Sequence, residues 1–142
     1  MIRFAATAAA ALLLTAAPAL AQPNDNTVVL TFETGARTGM VMGALYDSAA
    51  ALDGRNGVAV AQTAISASGR VVATFANLPA GDYAVKAFHD VNGDGQMNTN
   101  PFGMPTEPYA FSNNAVGNMG PARWDRAHFA VSGETAQTIS IR

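Results

Sequence analysis

The 142 residues contain no cysteine, and that absence removes disulfide stapling, thiol catalysis and thiolate-held zinc together. Positive charge is almost as scarce. A single lysine, Lys86, and arginines scattered along the chain cannot make the clustered basic surface that nucleic acid or an anionic membrane surface requires. With a formal net charge of −2 and only 13% charged residues, nucleic acid is excluded as a partner. Sustained amphipathic helical periodicity is missing too, and with it the crossover helices of a parallel α/β fold.

What is present begins with residues 1–21, where a basic Arg3 precedes an apolar run from Phe4 to Leu14 and a small-residue close at Ala19-Leu20-Ala21. That order is a secretory signal peptide, and the run is too short to span a bilayer. Cleavage is expected before Gln22, leaving residues 22–142 as one domain, periplasmic or secreted, with no membrane insertion afterwards. No cysteine follows the cleavage point to carry a lipid anchor.

Downstream, "TVVLTFET" (27–34) alternates with Val28, Leu30 and Phe32 on one face, and "MVMGALYD" (40–47) is a second strand expected to form a hairpin with it. Residues 48–57 read as loop with one helical turn, and "VAVAQTAIS" (58–66) as a strand although its alanines also suit a helix. Residues 70–76 place Val71, Ala73 and Phe75 inward. Residues 82–89 do the same with Tyr83, Val85 and Ala87, while Lys86 marks the opposite side as solvent. Phe88 breaks that alternation, so something must cover its face. Phe129 and Val131, then Ile139 and Ile141, mark the last two strands, with Gly133 turning between them. Seven short strands with turn signals between most of them describe an all-β, antiparallel β-sandwich.

Residues 90–126 make one long loop, far beyond ordinary connection length, and its aromatics Phe102, Tyr109, Phe111 and Trp124 argue that it is ordered. Within 78–131 stand His89-Asp90-x-Asn92-x-Asp94-Gly95, Phe102-Gly103-x-Pro105-x-Glu107, Tyr109-x-Phe111-Ser112-Asn113-Asn114 and a following Gly-Pro pair. On these motifs the chain closely resembles an exported bacterial family catalogued as domain of unknown function 2141. The resemblance implies an extracytoplasmic β-sandwich and no established activity. "NLPAGDYAV" is also similar to the turn and strand of transthyretin-like and collagen-adhesin B-type modules, so the expected fold is an immunoglobulin/transthyretin-like sandwich.

Asp90, Asn92 and Asp94 stand at positions one, three and five of a calcium loop, with Gly95 at six, Gln96 offering its carbonyl at seven and Asn98 at nine. Position twelve is Pro101, where a bidentate Glu is normal, so Glu107 or water would have to supply the missing oxygens. Such a site would bind calcium weakly, at about 10⁻⁴ to 10⁻³ M. The other open reading is a self-capped turn in which Asp and Asn bond their own backbone and Gly93 and Gly95 take positive φ. Tyr109, Phe111 and Trp124 form either a stacking platform for a glycan or a small core pinning the loop over Phe88. "SNNAVGN" (112–118) is a ligand contact or a surface turn. His89 and His128 are candidate metal ligands, or a base for Ser112. No nucleophile-elbow, zinc or paired-carboxylate signature accompanies either, so the chain reads as non-enzymatic. The expectation is a binding or structural role at the cell envelope toward a protein or glycan, with carbohydrate binding by the three aromatics as the alternative.

Overall fold

Alternating apolar residues that can face one way only along an extended chain build the first sheet. β1 (Asn26–Glu33) buries Val28, Leu30 and Phe32 completely, and β4 (Arg70–Leu78) turns Val71, Ala73 and Phe75 to the same interior. β8 (Glu134–Ser140) adds Ile139, with Ile141 just beyond it. The computed structural model describes residues 25–35, 38–55 and 58–142, so the expected signal segment, 1–21, and the Asn56-Gly57 turn lie outside the described residues.

The second sheet contains β2 (Met40–Tyr46), β3 (Ala61–Ser66) and β5 (Gly81–Asp90), joined by the short β6 (Tyr109–Phe111) and β7 (Phe129–Val131). The orders are β4-β1-β8 and β3-β2-β5-β6, and β7 also pairs with β5. β6 takes the Lys86–Phe88 half of β5's free edge and β7 the Gly81–Tyr83 half. Val41, Leu45, Val85, Ala87, Phe129 and Val131 meet the inward residues of the first sheet in one apolar core. Each fully buried Val, Leu, Ile or Phe there contributes about 1.5–3 kcal/mol.

The fold is all-β with two sheets of three and five strands, and it corrects the expectation in three places. Among the described residues there are eight strands, because Tyr109-Ala110-Phe111 forms β6 inside the long loop; three residues are too few to show a period. The loop also holds a 3-10 turn (Ser112–Asn114) and the one-turn helix α2 (Trp124–Ala127). β1 and β2 do not form a hairpin: β1 lies between β4 and β8, and β2 between β3 and β5. Finally, β1 pairs with β8 in parallel, so the sheets are not wholly antiparallel. Alternation shows which side of a strand is inward but not which sheet completes it. The expected strand at 58–66 begins at Ala61, and the helical turn after Ser48 is α1 (Ala49–Leu52), capped by Ser48 Oγ accepting from Ala51 N at 3.3 Å.

A second, smaller apolar cluster covers the outer face of the five-stranded sheet. Leu52, Ala84, Phe111, Ala122 and Ala127 form it, with Tyr46, Ala115 and Trp124 packed against them. The long loop is therefore held on the sheet by its own apolar residues, and Phe88 on that face is half-buried.

Candidate functional site

The loop leaves β5 at Asp90, and three ties fix it. Asp90 is almost wholly buried; its Oδ1 accepts from Gly93 N at 2.7 Å and Asp94 N at 3.2 Å, and its Oδ2 from Gly95 N at 2.7 Å. Gly93 (φ 76°) and Gly95 (φ 78°) supply the left-handed backbone that brings those N–H groups inward. Glu107 closes the same loop from the far side, accepting from Val91 N at 2.9 Å and Asn98 N at 3.1 Å. Asp94 accepts from Asn98 Nδ2, Gln96 N and Asn92 Nδ2 at 2.9, 2.9 and 3.2 Å, and these bonds, Asn98's foremost, hold its carboxyl below the ordinary 3.8.

Five of the six residues read as calcium ligands, Asp90, Asn92, Asp94, Asn98 and Glu107, are thus gathered by side chain. Gln96 joins them through its N–H. Among the described residues no group of three or more His, Asp or Glu side chains is placed to hold a metal ion.

The second tie is a small hairpin over 98–106. Thr106 N donates to Asn98 O, Thr99 bridges Pro105, and Asn100 Oδ1 accepts from Phe102 N and Met104 N. Phe102 stands exposed at its tip.

The third tie is Ser112-Asn113-Asn114. Buried Ser112 Oγ accepts from Val85 N at 2.8 Å and donates to Ala127 O at 2.5 Å. Asn113 Nδ2 donates to Arg126 O and His128 O, while its N and Oδ1 pair with the Gln137 amide. Asn114 Nδ2 donates to Thr138 O and its Oδ1 accepts from Ser140 N, as a neighbouring strand's peptide would along the edge of β8. Both asparagines sit at positive φ, which their short amides tolerate. This stretch joins the two sheets.

Neither histidine bonds Ser112. His89 is buried in the core side of β5, and its Nε2 lies 2.6 Å from Thr38 O, so Nε2 carries the proton, and Nδ1 has no partner among the described residues. Ser112 bonds elsewhere, so no Ser–His pair forms. His128 is exposed and stacks on Trp124, ring centroids 5.6 Å apart and nearly coplanar at 8°.

The aromatics divide. Phe111 is 3% exposed, Trp124 packs into the second cluster, and Tyr109 is 42% exposed with its ring edge-on to Phe111 at 6.1 Å. They present no common face.

Between the small hairpin, β6 and residues 119–121 lies an apolar groove of about 730 Å³, walled by Met97, Met104, Pro105, Tyr109, Met119 and Pro121, with Lys86 and Phe111 also lining it. Met104 and Met119 are largely open to solvent. Met119 holds φ 56°, unusual for an unbranched apolar residue, and Gly117 nearby admits no side chain: a Cβ there would meet Gly120 O at 1.8 Å. Lys86 is not the solvent marker its alternation suggested. Its Nζ donates to Leu52 O at 2.9 Å and lies 5.6 Å from the Tyr46 ring centre, and burial lowers its pKa against the opposing pull of Asp53.

None of the three groove methionines stands out in the sequence, because no motif or period links Met97, Met104 and Met119. Their signal was three thioethers within one loop, side chains that adapt to surfaces of irregular shape.

Among the described residues no helix is long and apolar enough to cross a membrane. Neither a curated protein nor a solved structure matches this chain. A family model matches residues 33–140, spanning β2 to β8 and the whole of the long loop, and the chain belongs to that family, described as "Uncharacterized protein conserved in bacteria (DUF2141)".

Proposed function

We propose that this is a non-enzymatic, exported binding protein of the cell envelope, an immunoglobulin/transthyretin-like sandwich whose long loop holds a small apolar ligand. The observation that carries the reading is the groove of about 730 Å³ and its methionine wall, within the size range of small-molecule sites. Methionine side chains adapt to ligands of irregular shape, and each one fully covered contributes about 1.5–3 kcal/mol. The loop's ties to Asp90, Glu107 and Ser112 keep the groove formed before a ligand arrives, which lowers the ordering cost of binding. A glycan platform is disfavoured by the burial of Phe111 and the separate packing of Trp124.

The neutral dye N-phenyl-1-naphthylamine tests this. Residues 22–142 should bind it saturably, one to one, and Met104→Asp should weaken binding about tenfold or more by putting a charge in the apolar wall. No saturable binding, or binding indifferent to Met104→Asp, refutes the groove reading.

The 90–98 loop reads as self-capped, since five backbone N–H groups already occupy Asp90 and Glu107. Its melting midpoint should not move between chelator and about 5 mM calcium; a rise of about 5 °C would favour calcium at Asp90, Asn92, Asp94, Gln96, Asn98 and Glu107 instead. Export predicts a processed chain starting at Gln22, checked by sequencing the amino terminus of the periplasmic fraction.

A further inference from the structure

A second cavity adjoins the groove, and its chemistry is opposite. It encloses about 410 Å³ beside Asp53, Arg55, Lys86, Asn118 and Arg123, and shares Lys86, Gly120 and Pro121 with the apolar groove. The chain's one lysine and two of its few arginines therefore converge on one hollow, where Asp53 is the one carboxylate among the described lining residues, in a molecule whose net charge is negative. Such a local excess of cations is where an anion is attracted.

Lys86 is the junction. It is half-buried in the face of the five-stranded sheet, and one of its three N–H donors is spent on Leu52 O. Burial disfavours its charge, and an anion at this position would restore it. From Lys86 the surface runs one way to Met97, Met104, Tyr109 and Met119 and the other way to Arg55 and Arg123. The wall between the two hollows is the 117–121 turn, whose close path depends on Gly117 having no side chain.

We infer that the groove's ligand is an amphipathic anion, its carboxylate, sulfonate or phosphate head seated by Lys86, Arg55 and Arg123 and its apolar body lying along Met97, Met104, Tyr109 and Met119. This rests on the apolar-groove reading and adds the charge of the ligand to it. The occupant is a single molecule taken from solution, because both halves of the site are concave hollows of one protein surface; a bilayer would offer its headgroups in a plane.

Two dyes that differ only by a sulfonate make the test: 1-anilinonaphthalene-8-sulfonate and N-phenyl-1-naphthylamine. On residues 22–142 the sulfonated dye should bind about tenfold or more tightly, since a charge-assisted contact in a partly dry site outweighs the cost of desolvating the head. Arg55→Glu/Arg123→Glu, both at exposed positions, should reduce that preference to about twofold or less and leave the neutral dye unaffected. Laurate should displace the sulfonated dye, and dodecanol should compete at least tenfold less well.

Equal affinity for the two dyes overturns the anion inference while leaving the groove reading intact. Failure of both dyes removes the two together. A sulfonate preference that survives the double substitution also overturns it, because the head would then lie elsewhere. So does cosedimentation with phosphatidylglycerol vesicles, lost in the double variant, when neither monomeric dye binds.

Discussion

Removing the Asp90 carboxylate asks whether the loop that carries the groove is organised by one buried side chain. Its two shortest bonds, from Gly93 N and Gly95 N at 2.7 Å, end on different oxygens, and the third, from Asp94 N at 3.2 Å, shares Oδ1 with the first. Only two strong charge-assisted contacts are therefore counted, each worth about 1.5–3 kcal/mol. Gly93 and Gly95 are themselves exposed, so their N–H groups can rehydrate once the carboxylate is gone, which favours the lower end of that range. Asp90→Ala should cost about 3–4 kcal/mol. Asp90→Asn should cost nearly as much, because whichever way its amide turns, one oxygen's bonds are lost and the amide N–H group is aimed at backbone N–H.

Urea denaturation of residues 22–142, followed through the single Trp124, measures the change, and hydrogen exchange at Gly93 and Gly95 locates it. A loss below about 0.5 kcal/mol for Asp90→Ala, with exchange unaltered, would refute the idea that this carboxylate holds the loop.

Ser112→Ala strips buried Val85 N and Ala127 O of their side-chain partner and should cost about 2–3 kcal/mol, read by the same denaturation. Met119→Gly relieves a positive φ, so stability should hold or rise by up to about 1 kcal/mol while affinity for the neutral dye falls; a destabilised variant with intact affinity would contradict the placement of Met119. Asp94 has a folded pKa below 3.8, so its contribution is present above that value and fades as pH drops through the lower folded one. Exchange protection at Gln96 should therefore survive at pH 5 and weaken only below about pH 4, and loss at higher pH would count against the Asp94 bonds.

Strands were legible where alternation was long. Val28, Leu30 and Phe32, or Tyr83, Val85 and Ala87, state their own inward face. Nothing in them names the sheet, because the same face serves either layer, and the parallel pairing of β1 with β8 joins residues over a hundred positions apart. Asp90, Glu107 and the aromatics were singled out by residue type, and the structure supplies the relation: Glu107 closes the loop through Val91 N and Asn98 N where Pro101 leaves a gap. The groove was not legible. Met97 precedes the 98–106 hairpin, Met104 lies on its second arm and Met119 sits in the 117–121 turn, so only the folded loop brings the three together.

The central claim is that this groove is where a ligand sits, and the methionine methyl groups report on it directly. In residues 22–142, titration with 1-anilinonaphthalene-8-sulfonate should shift the ε-methyl resonances of Met97, Met104 and Met119 together, with one saturation curve. Those of Met40 and Met42, on β2 and outside the groove lining, should stay in place. Shifts at Met40 and Met42 without the loop methionines, or no saturable shift at any of the five, would contradict the account.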